Sequence, residues 1–194
     1  MSSASLRGVA PLRALAHPAR LDLLDLLRVH EKLTAAECAQ LLGTSTKSCS
    51  YHLDVLARQG LVARAEEPSA DGRERPWRRA ADEIITPPGQ ETGADRQART
   101  ASMRLTARRD LELFTVFTER EPDEPAQWRE AITVHTRTAV MSAAQLRDWG
   151  LAVEAVTREH VARARQAPAA GARPVRLTIR GFPQEIPARA PGDD

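Results

Sequence analysis

Long apolar runs and cysteines are both scarce in this sequence. No apolar run approaches the roughly 18 residues that a membrane span requires. The first residues show no apolar core followed by a small-residue cleavage pattern, so a signal peptide is not predicted. The two cysteines, Cys38 and Cys49, exclude a disulfide framework and suit a reducing compartment. We therefore expect a cytoplasmic protein without a membrane segment.

Catalytic signatures are missing as well. The sequence has no glycine-rich phosphate loop, no His-Glu-x-x-His pattern and no nucleophile elbow. Its five histidines are scattered along the chain without evident partners. An enzyme is therefore not expected, and no cofactor is predicted. The net charge of +2 is too small to indicate nucleic-acid binding, so the argument depends on where positive charge is concentrated.

Capping residues predict two consecutive helices around a glycine in the first third of the chain. Thr34 and Glu37 form a capping box at the start of one helix, which we expect to end at Gly43. Hydroxyl side chains at residues 44–46 can cap a second helix, from about residue 46 to residue 59, before Gly60. A further helix is expected after Pro18. This pattern is typical of a helix-turn-helix.

The second of these helices has two chemically different faces. Helical spacing places its apolar residues and a histidine on an inward face: Cys49, His52, Leu53 and Leu56. The opposite face carries groups that can donate to phosphates and read base edges in a major groove: Thr46, Lys47, Ser50, Tyr51 and Arg58. His52 fits a DNA contact and a boundary histidine about equally well.

A wing is predicted directly after the second helix. The pattern predicts a strand at residues 61–65 and a second, partner strand at residues 73–79. Residues 67–72 between them are rich in turn formers. Its arginines, Arg73, Arg75, Arg78 and Arg79, outnumber Asp71 and Glu74 and can pair with phosphate or enter a minor groove. Arg78 and Arg79 could equally be a solvated strand edge. Trp77 is expected to anchor the wing to the body.

At these residues the chain resembles the ArsR-type winged helix-turn-helix repressors. The resemblance covers roughly residues 9–80: LAHPARLDLLDLL, then LTAAECAQLLGTSTKSCSYHLDVLARQGLV, then an arginine-rich wing. The segment SYHL at residues 50–53 is its most specific part. The resemblance implies a homodimer on double-stranded DNA, with the second helix as recognition helix. The DNA-binding residues carried over from it, together with two from the wing, are Ser45, Thr46, Lys47, Ser50, Tyr51, His52, Arg73 and Arg75.

Metal sensing is common in that family, which raises the question of whether the two cysteines could bind a metal ion. Sensors of the family often carry Cys-x-Cys in the helix before the recognition helix, whereas Cys38 is flanked two residues away by Ala36 and Gln40. Two cysteines without clustered partners fall short of a four-ligand site. We predict buried, apolar-like cysteines and no metal site.

The region after Pro88 is predicted to dimerise or to bind an effector. Helices are expected at about residues 93–120 and after a capping box at Ser142, with strands at residues 132–140 and 175–179. Each helix carries an apolar stripe, and the predicted dimerisation residues are Leu111, Phe114, Phe117, Leu146, Trp149, Val153 and Val156. The stripe of the second helix also fits packing within one chain.

The sequence as a whole predicts a mostly α fold with a small β component. We expect a winged helix-turn-helix over residues 1–85, a C-terminal α/β dimerisation or effector region over residues 86–182, and a disordered tail over residues 183–194. The predicted function is sequence-specific regulation of transcription, as a repressor responding to a small-molecule effector. Two alternatives stay open: a winged helix that binds another protein, and a thiol- or metal-responsive sensor.

Overall fold

The computed structural model describes residues 9–66, 75–80 and 92–185. Contacts divide the chain into two compact units, residues 1–122 and 123–194. The elements of the described residues, apart from a single 3-10 turn at Glu121–Asp123, are α1 (Val9–Leu15), α2 (Pro18–Val29), α3 (Ala35–Leu42), α4 (Thr46–Arg58), β1 (Val62–Arg64), β2 (Trp77–Arg79), α5 (Gly93–Arg120), α6 (Ala126–Ala131) and α7 (Ala143–Gln166). The fold is mostly helical, as predicted.

The helix-turn-helix forms through the local capping chemistry that the sequence predicts. Thr34 Oγ1 accepts from the Glu37 N–H at 3.2 Å, and the Glu37 carboxylate accepts from the Thr34 N–H at 2.6 Å. Helix α3 ends at Gly43, whose φ of 63° lies in the left-handed region that favours glycine. Ser45 then caps α4, its hydroxyl accepting from the Ser48 N–H at 3.2 Å. Only three residues therefore separate the two helices.

One apolar core holds the first unit together. The residues with the largest fully buried side chains come from α2, α3, α4 and the start of the wing: Leu23, Leu24, Cys38, Cys49, Leu53, Leu56, Leu61 and Val62. Full burial of a leucine side chain is worth about 1.5–3 kcal/mol. This core fixes the inward face of α4, so the opposite face of the helix is directed to solvent.

The wing is a two-stranded antiparallel sheet that is tied to the body by Trp77. Arg64 lies opposite Trp77 in the ladder. The Trp77 N–H donates to the Leu33 carbonyl at 2.7 Å, and the Leu33 N–H donates back to the Trp77 carbonyl at 3.0 Å. The indole is buried, and the Arg64 guanidinium lies 3.8 Å from its ring centroid. The predicted anchoring role of Trp77 is confirmed. The predicted turn at residues 67–72 lies outside the described residues.

Helix α5 belongs to the first unit because it packs along α1. Ala98, Ser102 and Asp110 of this helix are buried. Thr92 and Asp95 form a capping box at its N-terminus, and its bounds agree with the predicted helix. The predicted domain boundary near residue 85 lies outside the described residues and stays a prediction. The observed division falls later, after Pro122.

The second unit consists of α6, α7 and two extended segments, residues 132–142 and 172–185. The predicted strands at residues 132–140 and 175–179 are wrong: neither segment has regular secondary structure, and the only ladder among the described residues joins β1 and β2. Alternation of apolar and polar residues is typical of a strand. A strand forms, however, only where a second segment hydrogen-bonds to its backbone. The C-terminal region is therefore α-helical with extended segments, and not α/β.

Specific side-chain contacts organise this second unit. The Arg173 guanidinium donates to both carboxylate oxygens of Glu124, at 2.6 and 3.1 Å, and lies 4.9 Å from the ring centroid of Trp128. Gly181 lies so close to Trp149 that a Cβ there would be 2.5 Å from the indole. The C-terminal extended segment therefore packs on α7. The predicted disordered tail falls mainly on residues 186–194, outside the described residues. No helix in the described parts of the chain is long and apolar enough to span a membrane.

Candidate nucleic-acid interface

Helix α4 presents a polar, solvent-exposed face to one side of the first unit. Cys49, Leu53 and Leu56 are buried on its inner side, as predicted from their spacing. Of the predicted DNA-binding residues on and next to this helix, Ser45, Thr46 and Lys47 are exposed, Ser50 is half-buried, and Tyr51 is 62% exposed. An exposed tyrosine, a lysine and several hydroxyls on one helix can contact both phosphates and base edges.

His52 occupies the border between these two faces and contacts a residue that the sequence did not single out. Its ring centroid lies 4.5 Å from that of His17, the N-cap residue of α2, and 5.1 Å from that of Tyr51. The Nδ1 atoms of both histidines are buried and lack a hydrogen-bond partner among the described residues. His52 therefore joins α4 to the start of α2. A direct contact of His52 with DNA stays a prediction.

The electrostatics around this pair favour neutral imidazoles. Burial lowers the pKa of His52, and the nearby His17 and Arg20 lower it further. Burial and Arg20 also lower the pKa of His17, while Asp22 acts in the opposite direction. Sequence reasoning missed His17 and Arg20 because more than thirty residues separate them from His52, and only the packing of α2 on α4 brings them together.

The described part of the wing adds exposed positive charge. Arg75 and Arg78 are exposed, and Arg79 is half-buried. The Arg64 side chain stacks on the indole of Trp77 and donates a hydrogen bond to the Arg75 carbonyl at 2.6 Å. Arg73 lies outside the described residues. The phosphate contact of the exposed Arg75 stays a prediction.

Both cysteines belong to the apolar core. Cys38 is 0% and Cys49 2% exposed, which confirms that they are buried. Burial, with smaller contributions from Cys49 and Glu37, raises the pKa of the Cys38 thiol to about 12. Burial raises the pKa of Cys49 as well. Because the thiolate is the form that binds metal and reacts, these shifts disfavour both activities. The described residues contain no cluster of three or more groups that could hold a metal ion.

The predicted dimerisation residues lie on α5 in the first unit and on α7 in the second. Within α5, Leu111 and Phe114 are exposed and Phe117 is half-buried, with the two phenyl centroids 6.5 Å apart. Within α7, Trp149 and Val156 are exposed, whereas Leu146 and Val153 are half-buried. Each helix therefore carries apolar side chains that one chain leaves partly or wholly in contact with solvent.

Comparison with known proteins agrees with this geometry. A family model described as a helix-turn-helix domain matches residues 15–65, which include α2, α3, α4 and β1. The chain carries a helix-turn-helix domain. Such a domain indicates a DNA-binding regulator of transcription. No curated protein matches the chain. The match covers the domain in which α4 takes the place of the recognition helix.

Proposed function

We propose that this protein is a sequence-specific transcriptional repressor of the ArsR type, which binds double-stranded DNA as a homodimer and responds to a small-molecule effector. The observation that carries the proposal is the two-faced α4. Its buried face is locked into the core by Leu53 and Leu56, and its outer face presents Lys47 and Tyr51 to solvent. A helix held in this way can enter a major groove without losing its support.

Dimerisation is supported by the apolar surface of α5 and α7. Leu111, Phe114, Trp149 and Val156 are all exposed in the single chain. Contiguous exposed apolar surface usually marks an interface in soluble proteins. A dimer also provides two recognition helices, and one winged helix alone covers too few base pairs for useful specificity. The proposal includes cytoplasmic location and no catalytic reaction, with the effector bound at or near the C-terminal region.

The proposal is tested by selecting DNA from a random duplex library with the full-length protein. We expect an imperfect inverted repeat, with half-site centres about one helical turn, roughly 34 Å, apart. Binding of the enriched duplex should weaken steeply with salt, because phosphate contacts release counterions. A reporter gene placed behind that duplex should be expressed less when the protein is present. Failure to enrich any sequence contradicts the proposal, and activation of the reporter contradicts the repressor role.

A further inference from the structure

Helix α5 is attached to the winged helix at two separate places. It packs on α1, and Ala98 and Ser102 in its N-terminal half are buried. About two turns further along, roughly 10 Å at 1.5 Å per residue, Arg109 reaches across to α2. Directly after Arg109 the helix carries Leu111 and Phe114, two of the predicted dimerisation residues. Arg109 therefore joins α5 to α2 only two residues before Leu111.

Arg109 bridges two carboxylates of α2. Its Nη1 lies 2.5 Å from Asp22 Oδ1, and its Nη2 lies 3.2 Å from Asp25 Oδ2. The three side chains are only 20%, 33% and 24% exposed, in the order Arg109, Asp22, Asp25. Asp22 and Asp25 are three residues apart and so lie on one face of α2. A planar guanidinium that contacts both carboxylates restrains the rotation of α5 as well as its distance from α2.

The bridge links the predicted dimer surface to the recognition helix through two packed elements. Helix α2, which carries Asp22 and Asp25, packs directly against α4. A rotation of α5 about its contact with α1 would move Leu111 and Phe114 relative to α4. In a homodimer, that motion would change the distance and angle between the two recognition helices, which must match the spacing of successive major grooves.

We propose that Arg109 is a positioning residue that fixes the separation of the two recognition helices, and so determines which half-site spacing the protein accepts. This inference rests on the proposed function. An alternative role is general stabilisation of the fold. The two roles differ in outcome, because loss of stability weakens binding to all duplexes alike, whereas loss of positioning weakens binding to the correctly spaced inverted repeat and leaves a single half-site unaffected.

The test uses the full-length protein and the duplex that the wild-type chain enriches from a random library. Binding is measured to that duplex, to versions whose half-site spacing is shortened or lengthened one base pair at a time, and to a duplex with one half-site. We expect Arg109→Ala to bind the original spacing about tenfold more weakly, with a flattened dependence on spacing. Affinity for the single half-site and the sedimentation coefficient of the dimer should be unchanged.

Arg108→Ala is the matched control. It removes the same charge from the neighbouring residue, whose partner Glu112 lies on the same helix at 2.9 Å, with side chains 79% and 62% exposed. Its spacing profile should equal that of the wild type. Arg109→Lys keeps the charge but cannot bridge both carboxylates in one plane, so its profile should resemble that of Arg109→Ala.

Each outcome decides for or against the inference. Equal spacing profiles for Arg109→Ala and Arg108→Ala overturn it, as does an equal loss of affinity for the single half-site. If Arg109→Ala does not fold, the same measurements are made on Asp22→Asn, which removes one of the two carboxylate charges and keeps the helix. A flattened spacing profile of this variant supports the inference, and a wild-type profile overturns it. Failure of the wild-type chain to enrich any duplex overturns the proposed function and this inference together.

Discussion

The two compact units differ in how much apolar surface they bury. In the described part of the first unit, α2, α3, α4 and the wing enclose a core that includes fully buried Leu53 and Leu56. In the second unit, none of the described residues is buried, although α7 and the extended segments carry large apolar side chains, exposed among them Val140, Trp149, Leu151, Val156, Val175 and Leu177.

This difference indicates that one chain alone accounts for the stability of the first unit but not for that of the second. Burial of apolar side chains is the main favourable term in folding, and the first unit satisfies it internally. The second unit carries large apolar side chains, but none of its described residues is buried. Its contacts include the ion pair of Arg173 with Glu124 and the packing of Gly181 on Trp149. Burial of its exposed apolar side chains in a homodimer is the basis of the proposed oligomeric state.

The largest effect is expected from a change in the core of the first unit. Leu53→Ala removes a fully buried side chain of α4 and should lower the free energy of unfolding by about 3 kcal/mol, since the cavity it leaves cannot collapse completely. The control is Leu41→Ala, at an exposed leucine of α3, which should cost less than about 0.5 kcal/mol. Urea unfolding measures both. Similar losses for the two variants would contradict the assignment of the core.

The next largest effect concerns the exposed apolar residues that we assign to the dimer. Phe114→Asp on α5 and Val156→Asp on α7 should each weaken dimerisation by about 2 kcal/mol or more, because a charge is placed in an apolar interface. Leu41→Asp, at an equally exposed position of α3, should have no effect on association. Sedimentation velocity at micromolar concentration distinguishes monomer from dimer. If the wild-type chain sediments as a monomer, burial of the exposed apolar side chains of α7 in a homodimer is contradicted.

An effect that is absent at neutral pH is expected from the cysteines of the first unit. The pKa of Cys38 is raised from 9.0 to about 12 in the fold. The unfolded thiol therefore loses its proton first, and the contribution of this group to stability is complete below about pH 9 and is lost as the pH rises toward 12. The fall in unfolding free energy over this range should be shallower in Cys38→Ala than in the wild type.

The same shift predicts the reactivity of the native thiols. At pH 8 the folded protein should react slowly with a soluble aromatic disulfide, and unfolding in urea should make both cysteines react fast. Rapid reaction of the folded chain, or a DNA response that disappears in Cys38→Ala while the protein stays folded, would favour the thiol-responsive alternative.

The smallest effect tests whether DNA contacts are confined to the first unit. Replacing Arg73 and Arg75 by alanine should reduce the slope of log affinity against log salt by about 1.8, since each lost phosphate contact contributes about 0.9. Arg147→Ala, at an exposed position of α7, should leave the slope unchanged. An unaltered slope in the wing variant would exclude the wing from phosphate binding.

Local chemistry made the helix-turn-helix predictable from the sequence. The capping box of Thr34 and Glu37, the left-handed Gly43 and the spacing of Cys49, Leu53 and Leu56 act within one or two helical turns, so the pattern of residues is sufficient to predict them. The face of α4 that carries the proposed DNA-binding residues was predicted for the same reason.

The features that the sequence did not predict depend on contacts between distant residues. The stacking of His17 on His52 and the bridge from Arg109 to Asp22 join residues that are far apart in the chain. The alternation at residues 132–140 predicted a strand, but no pattern within a segment shows whether a pairing neighbour exists. Helix α6 was missed because its six residues span fewer than two turns, too short a segment for an apolar pattern to repeat.

The central claim is that the exposed face of α4 binds DNA, and one comparison tests it directly. The full-length protein and a variant carrying Lys47→Ala, Ser50→Ala and Tyr51→Ala are titrated against the duplex that the wild-type chain enriches, with circular dichroism showing that both are folded. The account predicts that the variant binds at least about 100-fold more weakly, because three contacts worth about 1 kcal/mol each are lost. Equal affinity of the folded variant and the wild type would contradict it.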